Sequence, residues 1–484
     1  MQSYKKQLVS GIAYTAVAKY AGMAVSLVVV AVLARLLSPS DFGVVAIATV
    51  IISFFSVFSD FGFEPAIIQY KQLTKKDLSN IFSYTTWMGV FLAVLFFFLS
   101  WAISKYYKND NLLLICQLLS VNLFFATANI VPNALVHKDK LFKFIAWRTL
   151  IVQTIGGTAA IIAAISGLGL YSLVINPIFS SIVIFMINFR KYPQQLCFTF
   201  GTESIKKIFS FSVYQFLFSV INFFSRNLDK LIIGKYLNLS ALGYYEKSYR
   251  LMMLPLENIT HIVSPVMHPI FSEFQSDLKK LATSYEGVIK FLSFVGFPLS
   301  ILLYFTAKEL VLIIFGNQWL LSVPSFEILA ISVGIQIVLA TAGPIFQASN
   351  STKQLFICGL LSSALTISAV LFSVVVFKTI ESVAWAVTIT IAINFLQVYM
   401  IMYLGVFKRN MASLFKQLYS PLIVSAILII ANLLFRNFVQ IDNLILSLIC
   451  KSAISLMILL VYVQFSREYD IYKKVRSLIN QTFS

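Results

Sequence analysis

Charge is what this sequence has least of. Only 12% of its 484 residues are Asp, Glu, Lys or Arg, against about 25% in a typical soluble domain. Acidic side chains are the scarcer sign, 19 against 37 basic, which leaves a net charge of +18. The chain has three histidines and four cysteines. No CxxC spacing or neighbouring His accompanies Cys116, Cys197, Cys358 or Cys450, so neither a zinc site nor a disulfide framework is expected. Long polar connectors are missing too. The largest, roughly residues 190–206, has room for an amphipathic helix but not for the extramembrane domain with paired carboxylates that sugar-transferring or polymerising enzymes use. The strings Ser40-Asp41-Phe42-Gly43 and Ser59-Asp60-Phe61-Gly62 contain the kinase D-F-G triplet, but the rest of the kinase signature is absent. The expectation is a protein that is not an enzyme.

Apolar residues take the vacated share. AVILMFWYC make up 59% of the chain, including 45 Phe and 22 Tyr, and the mean hydropathy is +0.86. A globular core of this length cannot hide so much apolar surface, whereas a lipid-embedded chain exposes it to hydrocarbon and places aromatic rings at the interfaces. A bilayer needs about 20 apolar residues per helix. Runs of that length predict fourteen spans, near 10–36, 42–69, 81–104, 111–136, 143–166, 169–189, 207–234, 241–271, 286–306, 321–347, 354–377, 381–405, 415–435 and 443–465. The opening run is too long for a signal-peptide core and flows into a second span.

With the N-terminus placed in the cytoplasm, 22 of the 37 Lys and Arg fall on the inner side and eight on the outer. This is the bias that cytoplasmic retention of cations produces, and it puts both termini inside. It also accounts for the basicity without nucleic acid as a partner. Sliding the sequence by 200 residues aligns span 7 with span 1: Arg35-Leu36-Leu37-Ser38-Pro39-Ser40-Asp41-Phe42-Gly43 meets Lys235-Tyr236-Leu237-Asn238-Leu239-Ser240-Ala241-Leu242-Gly243, and Pro65 meets Pro265. Further on, Ala126-Thr127-Ala128 before Pro132 is echoed by Ala340-Thr341-Ala342 before Pro344. A six-helix repeat returns the chain to its starting side. The expected fold is therefore all-α and polytopic: two parallel six-helix lobes related by a pseudo-twofold along the membrane normal. The first lobe is 1–190, a cytoplasmic connector 191–206, the second lobe 207–405, and helices 13 and 14 with a cytoplasmic tail occupy 406–484.

Charges within spans are costly and usually face a cavity or a partner. Glu246, Arg250, Glu257, His261 and His268 lie on one arc of span 8. Gln215, Ser219, Asn222, Arg226 and Asp229 or Lys230 form a second stripe, on span 7; Thr49, Ser53, Ser56, Asp60 and Glu64 form a third, on span 2. One reading is a hydrated interior. The other is mutual neutralisation by i,i+3 and i,i+4 pairs, Arg226 with Asp229 or Lys230 and Glu246 with Arg250. Lys19, Arg148 and Lys290 have no local partner in sequence; Lys19 lies deepest, Arg148 and Lys290 are placed to snorkel inward, and no partner for Lys451 is evident.

The stretch RLLSPSDFGVVAIATVIISFFSVFSDFGFEPAIIQ, Arg35 to Gln69, resembles the first hairpin of bacterial polysaccharide exporters and Wzx-type lipid-linked oligosaccharide flippases. RNLDKLIIGKYLNLSALGYYEKSYRL, Arg226 to Leu251, resembles the start of their second lobe. Within the multidrug/oligosaccharidyl-lipid/polysaccharide exporter superfamily, the resemblance implies transfer of an undecaprenyl diphosphate-linked O-antigen, capsule or exopolysaccharide unit from the cytoplasmic to the periplasmic leaflet of the inner membrane, by alternating access. A diphosphate wants cations, so Lys19, Arg226, Arg250 and Lys230, with Asn222 and Gln215 toward the sugar, are the substrate-binding candidates. Asp60, Glu64, Asp229, Glu246, Glu257 and His261 are candidates for a coupling proton or sodium ion. No cofactor or metal is expected; other polysaccharide-assembly proteins are conceivable partners. A cation-coupled multidrug antiporter is the alternative within transport, and a non-transporting scaffold of a glycan-assembly complex is the alternative outside it.

Overall fold

A computed structural model describes residues 2–70, 72–197, 216, 220, 223–224, 226–275 and 277–466. All regular structure among the described residues is helical. In chain order the helices are α1 (Gln2–Leu36), α2 (Pro39–Asp60), α3 (Phe63–Gln69), α4 (Lys75–Tyr107), α5 (Asn111–Ala128), α6 (Ile130–Lys138), α7 (Phe142–Ala163) and α8 (Ser172–Lys191). Then come α9 (226–236), α10 (Leu239–Ser272), α11 (Leu278–Phe305), α12 (Ala307–Phe315), α13 (Val323–Ile331), α14 (Val333–Leu339), α15 (Ala342–Ala348), α16 (Thr352–Val376), α17 (Ile380–Met400), α18 (Ala412–Phe438) and α19 (Leu444–Ser466). Among the described residues ten segments are long and apolar enough to cross a membrane, and eleven when the bent pair Asn317–Ile331 and Val333–Ala348 is taken as one. One of the ten, Phe142–Lys191, is 50 residues long and reverses within itself, because Gly167 (φ +89°) and Gly169 (φ +54°) adopt backbone angles closed to most side chains. The long helix α10 is not among them, since its stripe of charges lowers its hydropathy. The protein is an all-α, multi-pass membrane protein.

Three of the helix breaks among the described residues share the same local chemistry. Pro65, Pro132 and Pro344 are the third residues of α3, α6 and α15 respectively. Proline lacks the N–H and collides with the carbonyl four residues back, so a helix cannot run through it undisturbed. In the first turn of a new helix that N–H has no partner anyway, so proline fits there. The breaks come just upstream: at Phe61 and Gly62 with φ of 40° and 73°, at Asn129 and at Thr341. The two later breaks fall at repeat-equivalent Ala-Thr-Ala sequences. Pro265, the equivalent of Pro65, lies instead within the uninterrupted α10.

The chain divides into two compact units, one of residues 1–246 with 374–380 and the other of 247–373 with 381–484. In the first, α1 lies along α7 and α4 along α5. Its core at one end is Phe63, Ala66 and Ile67 of α3 with Ile81, Phe82, Val131 and Ala134, all at most 2% exposed. At the same end three connectors are tied together: Lys138 Nζ donates to the Tyr70 carbonyl at 2.8 Å, the Tyr192 hydroxyl donates to Asp139, and Lys191 stands 4.7 Å above the Phe144 ring. Lys75, Lys76, Lys140, Lys143, Arg190 and Lys191 are exposed there, as expected of one basic face. The opposite faces of α4 turn Phe91, Phe98 and Trp101 outward, side chains suited to hydrocarbon contact.

In the second unit α11 is the central helix, packed against α13, α14 and α18. Phe294 of α11 joins Val424 and Leu428 of α18, with Ile458, Leu459, Tyr462 and Val463 of α19 packed against them. In lipid, burial of such side chains gains little from leaving water, so the close fit and the polar bonds between helices carry the association.

Candidate functional site

The polar stripes of the sequence separate, in the structure, into groups with different surroundings. On α9, Asp229 is buried and its Oδ2 accepts from the Tyr245 hydroxyl at 2.8 Å. Lys230 pairs with Glu246 of α10, Nζ to Oε2 2.8 Å, the side chains 13% and 25% exposed. The charges at the α9 to α10 hairpin are thus neutralised across the hairpin rather than along one helix, which replaces the i,i+4 pairing of Glu246 with Arg250 read from spacing. One turn earlier on the same helix Arg226 is exposed. On α10 Arg250 is half-buried and Glu257 exposed. Lys19 on α1 is exposed as well. Gln215 and Asn222, and the side chain of His261, lie outside the described residues.

Asp60 and Glu64 of span 2 belong to a second group, inside the first unit. The Glu64 amide donates to Asp60 Oδ1 at 3.3 Å, and Glu64 Oε1 accepts from Asn133 Nδ2 at 2.8 Å. Asn133 Oδ1 in turn accepts from Arg148 at 3.5 Å and from Asn188 at 3.3 Å. The Arg148 guanidinium donates to Asn188 Oδ1, while Asn188 Nδ2 donates to Asn129 Oδ1 at 2.9 Å. Arg148 is 8% exposed; far from snorkelling to the surface, it is held by asparagines from α6 and α8. A buried charge needs this degree of hydrogen bonding to offset its lost hydration. The three asparagines were missed in the sequence: Asn129 and Asn133 stand at helical i,i+4 spacing, but neutral amides carry no charge signal, and Asn188 lies 55 positions further on.

Two more cations find partners that spacing could not reveal. Lys451 of α19 reaches Glu309 of α12, 142 positions away in sequence, at 2.5 Å; it also donates to the Phe305 carbonyl at 2.8 Å, and Ser447 donates to the same Glu309 oxygen at 2.6 Å. Lys247, 2% exposed, lies 5.6 Å from the Phe315 ring centre and 5.5 Å from that of Trp319, a cation over aromatic faces. At the end of α11, Glu286 pairs with Arg409 at 3.2 Å. Nearby, the Tyr285 hydroxyl bonds to Tyr399 at 2.8 Å and to Thr341 at 2.9 Å. Among the described residues no group of three or more His, Cys, Asp or Glu is placed to hold a metal ion.

Among the described residues, Lys230, Lys451 and Arg409 are paired with carboxylates, whereas Lys19, Arg226 and Glu257 are exposed.

Comparison with known proteins agrees with this architecture. The teichuronic acid biosynthesis protein TuaB of Bacillus subtilis (strain 168) is 25% identical over 431 residues, 88% of each chain. The lipopolysaccharide biosynthesis protein WzxC of Escherichia coli (strain K12) is 23% identical over 333 residues, 68% of this chain and 67% of that one. In fold, the chain is similar to the lipid II flippase MurJ in an inward closed conformation, with a TM-score of 0.75 at 17% identity, covering 94% of this chain and 99% of that one. A multidrug resistance MATE family transporter of the MOP superfamily, in an inward-facing conformation, gives a TM-score of 0.61 at 13% identity, covering 78% of this chain and 94% of that one. Residues 32–324 match the family described as polysaccharide biosynthesis protein, and with more than half its length inside that match, this chain belongs to the polysaccharide biosynthesis protein family.

Proposed function

We propose that this chain moves an undecaprenyl diphosphate-linked oligosaccharide, a unit of an O-antigen, capsule or exopolysaccharide, from the cytoplasmic to the periplasmic leaflet of the bacterial inner membrane. It does so as two six-helix lobes alternating in access, with both termini in the cytoplasm. The observation that carries the reading is Arg226: an exposed guanidinium on a helix within the membrane, one turn from a lysine whose charge Glu246 has already cancelled. An exposed cation on a membrane helix calls for an anion, and a guanidinium presents a planar fork that matches two phosphate oxygens. Lys19, also exposed, supplies further positive charge for a diphosphate; Arg250, half-buried on α10, is a separate candidate. Lys230 serves mainly to neutralise Glu246.

The names of the relatives, for teichuronic acid and lipopolysaccharide biosynthesis, and of the solved lipid II flippase favour a lipid-linked glycan over a free drug cation. Orientation is supported by the basic end of the first unit, where three connectors gather their lysines and arginines on one face, as the positive-inside rule demands of a cytoplasmic end. Asp229 and Glu246 are engaged by Tyr245 and Lys230, which leaves Asp60, Glu64, Glu257 and His261 as the candidates for a coupling proton or sodium ion. Arg226→Ala and Arg250→Ala are expected to abolish surface glycan while leaving the protein inserted in the membrane. Wild-type export by both single variants and by the double variant would overturn the assignment.

A further inference from the structure

We propose that Gly43 and Gly243, equivalent residues of the two repeats, form the outer closure of the translocation path, and that the helices bearing them must part there for release. The inference rests on the transport reading above, with the N-terminus inside. It begins with helix capping. Ser38 caps α2, its hydroxyl accepting from the Asp41 amide at 3.3 Å. Asn238, 200 positions later, does the same for α10, its Oδ1 accepting from the Ala241 amide at 2.7 Å. Both helices thus start at equivalent residues, on the outer side by the assigned topology, and present the same first turn.

These two turns are pressed together backbone to backbone. A Cβ on Gly43 would lie 1.8 Å from the Leu239 carbonyl oxygen, and a Cβ on Gly243 would lie 2.0 Å from that of Pro39. Pro39 and Leu239 are themselves repeat equivalents. The contact therefore maps onto itself when one repeat is exchanged for the other, as an isologous contact between two subunits does. Such reciprocity is independent support for the duplication, and it shows why glycine is needed twice: any side chain at either position meets main chain, which has no rotamer to give. Beside the crossing Ile47, one turn on from Gly43, and Leu242, next to Gly243, are both 0% exposed, and both pack against Gly234. The result is a dry plug closed by a backbone contact that holds only at full approach. Small residues let intramembrane helices come this close, and the individual contacts, including carbonyl oxygens against Cα hydrogens, are weak enough to be broken and remade.

The test reads opening directly and needs no substrate. In a full-length chain whose own four cysteines are replaced by alanine, Ile47→Cys is labelled from the outer side of spheroplasts with a membrane-impermeant maleimide, and the experiment is repeated with Leu242→Cys as reporter. Gly43→Ala and Gly243→Ala are each expected to raise the labelling rate about tenfold or more, since one methyl forced into a filled contact shifts an equilibrium by that order. The double variant is expected to label at about the rate of either single one, because both methyls relieve the same crossing. Gly89→Ala is the control, a glycine packed against Thr127 between α4 and α5, and is expected to leave labelling unchanged. Unchanged labelling in both Gly43→Ala and Gly243→Ala, with either reporter, overturns the proposal. So does an equal rise with Gly89→Ala, which marks general loosening. A glycan-flipping assay on the same proteins judges the transport reading separately.

Discussion

Removing the lysine from the Lys451 and Glu309 pair gives a perturbation whose size can be worked out from its surroundings. Lys451→Met keeps the length of the side chain and deletes its charge. Glu309 then remains 6% exposed on its side chain, with Ser447 still donating to it but no counter-charge. Stripping one partner from a buried pair costs about 3–5 kcal/mol, because the other charge is left desolvated. Glu309→Gln, the reciprocal change, strands an ammonium that keeps the Phe305 carbonyl as acceptor, so its cost is expected at the lower end of that range. The double variant Glu309→Gln/Lys451→Met carries neither charge and is expected to recover most of the loss, as buried pairs replaced together often do. Unfolding of the four proteins in mixed micelles with increasing denaturing detergent, followed by tryptophan fluorescence, gives the cycle. A coupling energy of about 2 kcal/mol or more is expected. Additive effects, within about 0.5 kcal/mol, would refute the reasoning, and with it the view that this pair fastens α19 to α12.

Other predictions follow from the remaining groups. Arg148→Ala is expected to destabilise the first unit by about 3 kcal/mol or more, and Arg148→Lys to recover only part of that, since an ammonium cannot reach Asn188 and Asn133 as a fork does; the same detergent titration measures both. Lys230→Glu and Glu246→Lys are each expected to lower membrane yield, and the combined swap to restore both yield and surface glycan, because the pair neutralises itself; a swap that restores yield but not export would instead give Lys230 a substrate contact. Burial, together with the bond to Asp139, pushes the Tyr192 hydroxyl up to about 12. Its ordinary value is near 10, so the associated stability is full below pH 10 and lost as pH rises through about 12. Tyr192→Phe is expected to flatten that part of a stability-versus-pH curve, and identical curves for the two proteins would contradict it.

The helical class and the membrane were legible in the sequence because each rests on a long signal, apolar runs of about 20 residues repeated along the chain. The site was legible only in part. Glu246 and Lys230 were both singled out, but their pairing crosses a hairpin, and local spacing favours neighbours on the same helix. Arg148 reads as a stray cation until Asn129, Asn133 and Asn188 are brought to it from helices that no periodicity links. Lys451 shows the same limit across 142 positions. Conversely, the match of Gly43 to Gly243 was visible as identity, but its meaning, two backbones in mutual contact, required coordinates. Breaks come just before Pro65, Pro132 and Pro344, whereas helices run on through Pro177, Pro265, Pro298 and Pro421, so proline in the sequence did not by itself say where a span breaks.

The central claim is the proposal that the chain itself carries a lipid-linked glycan across the bilayer. The most direct measurement is leaflet exchange of a fluorescently labelled undecaprenyl diphosphate-linked oligosaccharide in vesicles containing only the purified full-length protein, read by quenching with a membrane-impermeant reductant. The account predicts that quenching proceeds from about half of the label to nearly all of it with the wild-type chain, and stops at about half with Arg226→Ala/Arg250→Ala or with empty vesicles. Quenching that stops at half with the wild-type chain, under an imposed proton or sodium gradient as well as without one, would contradict it.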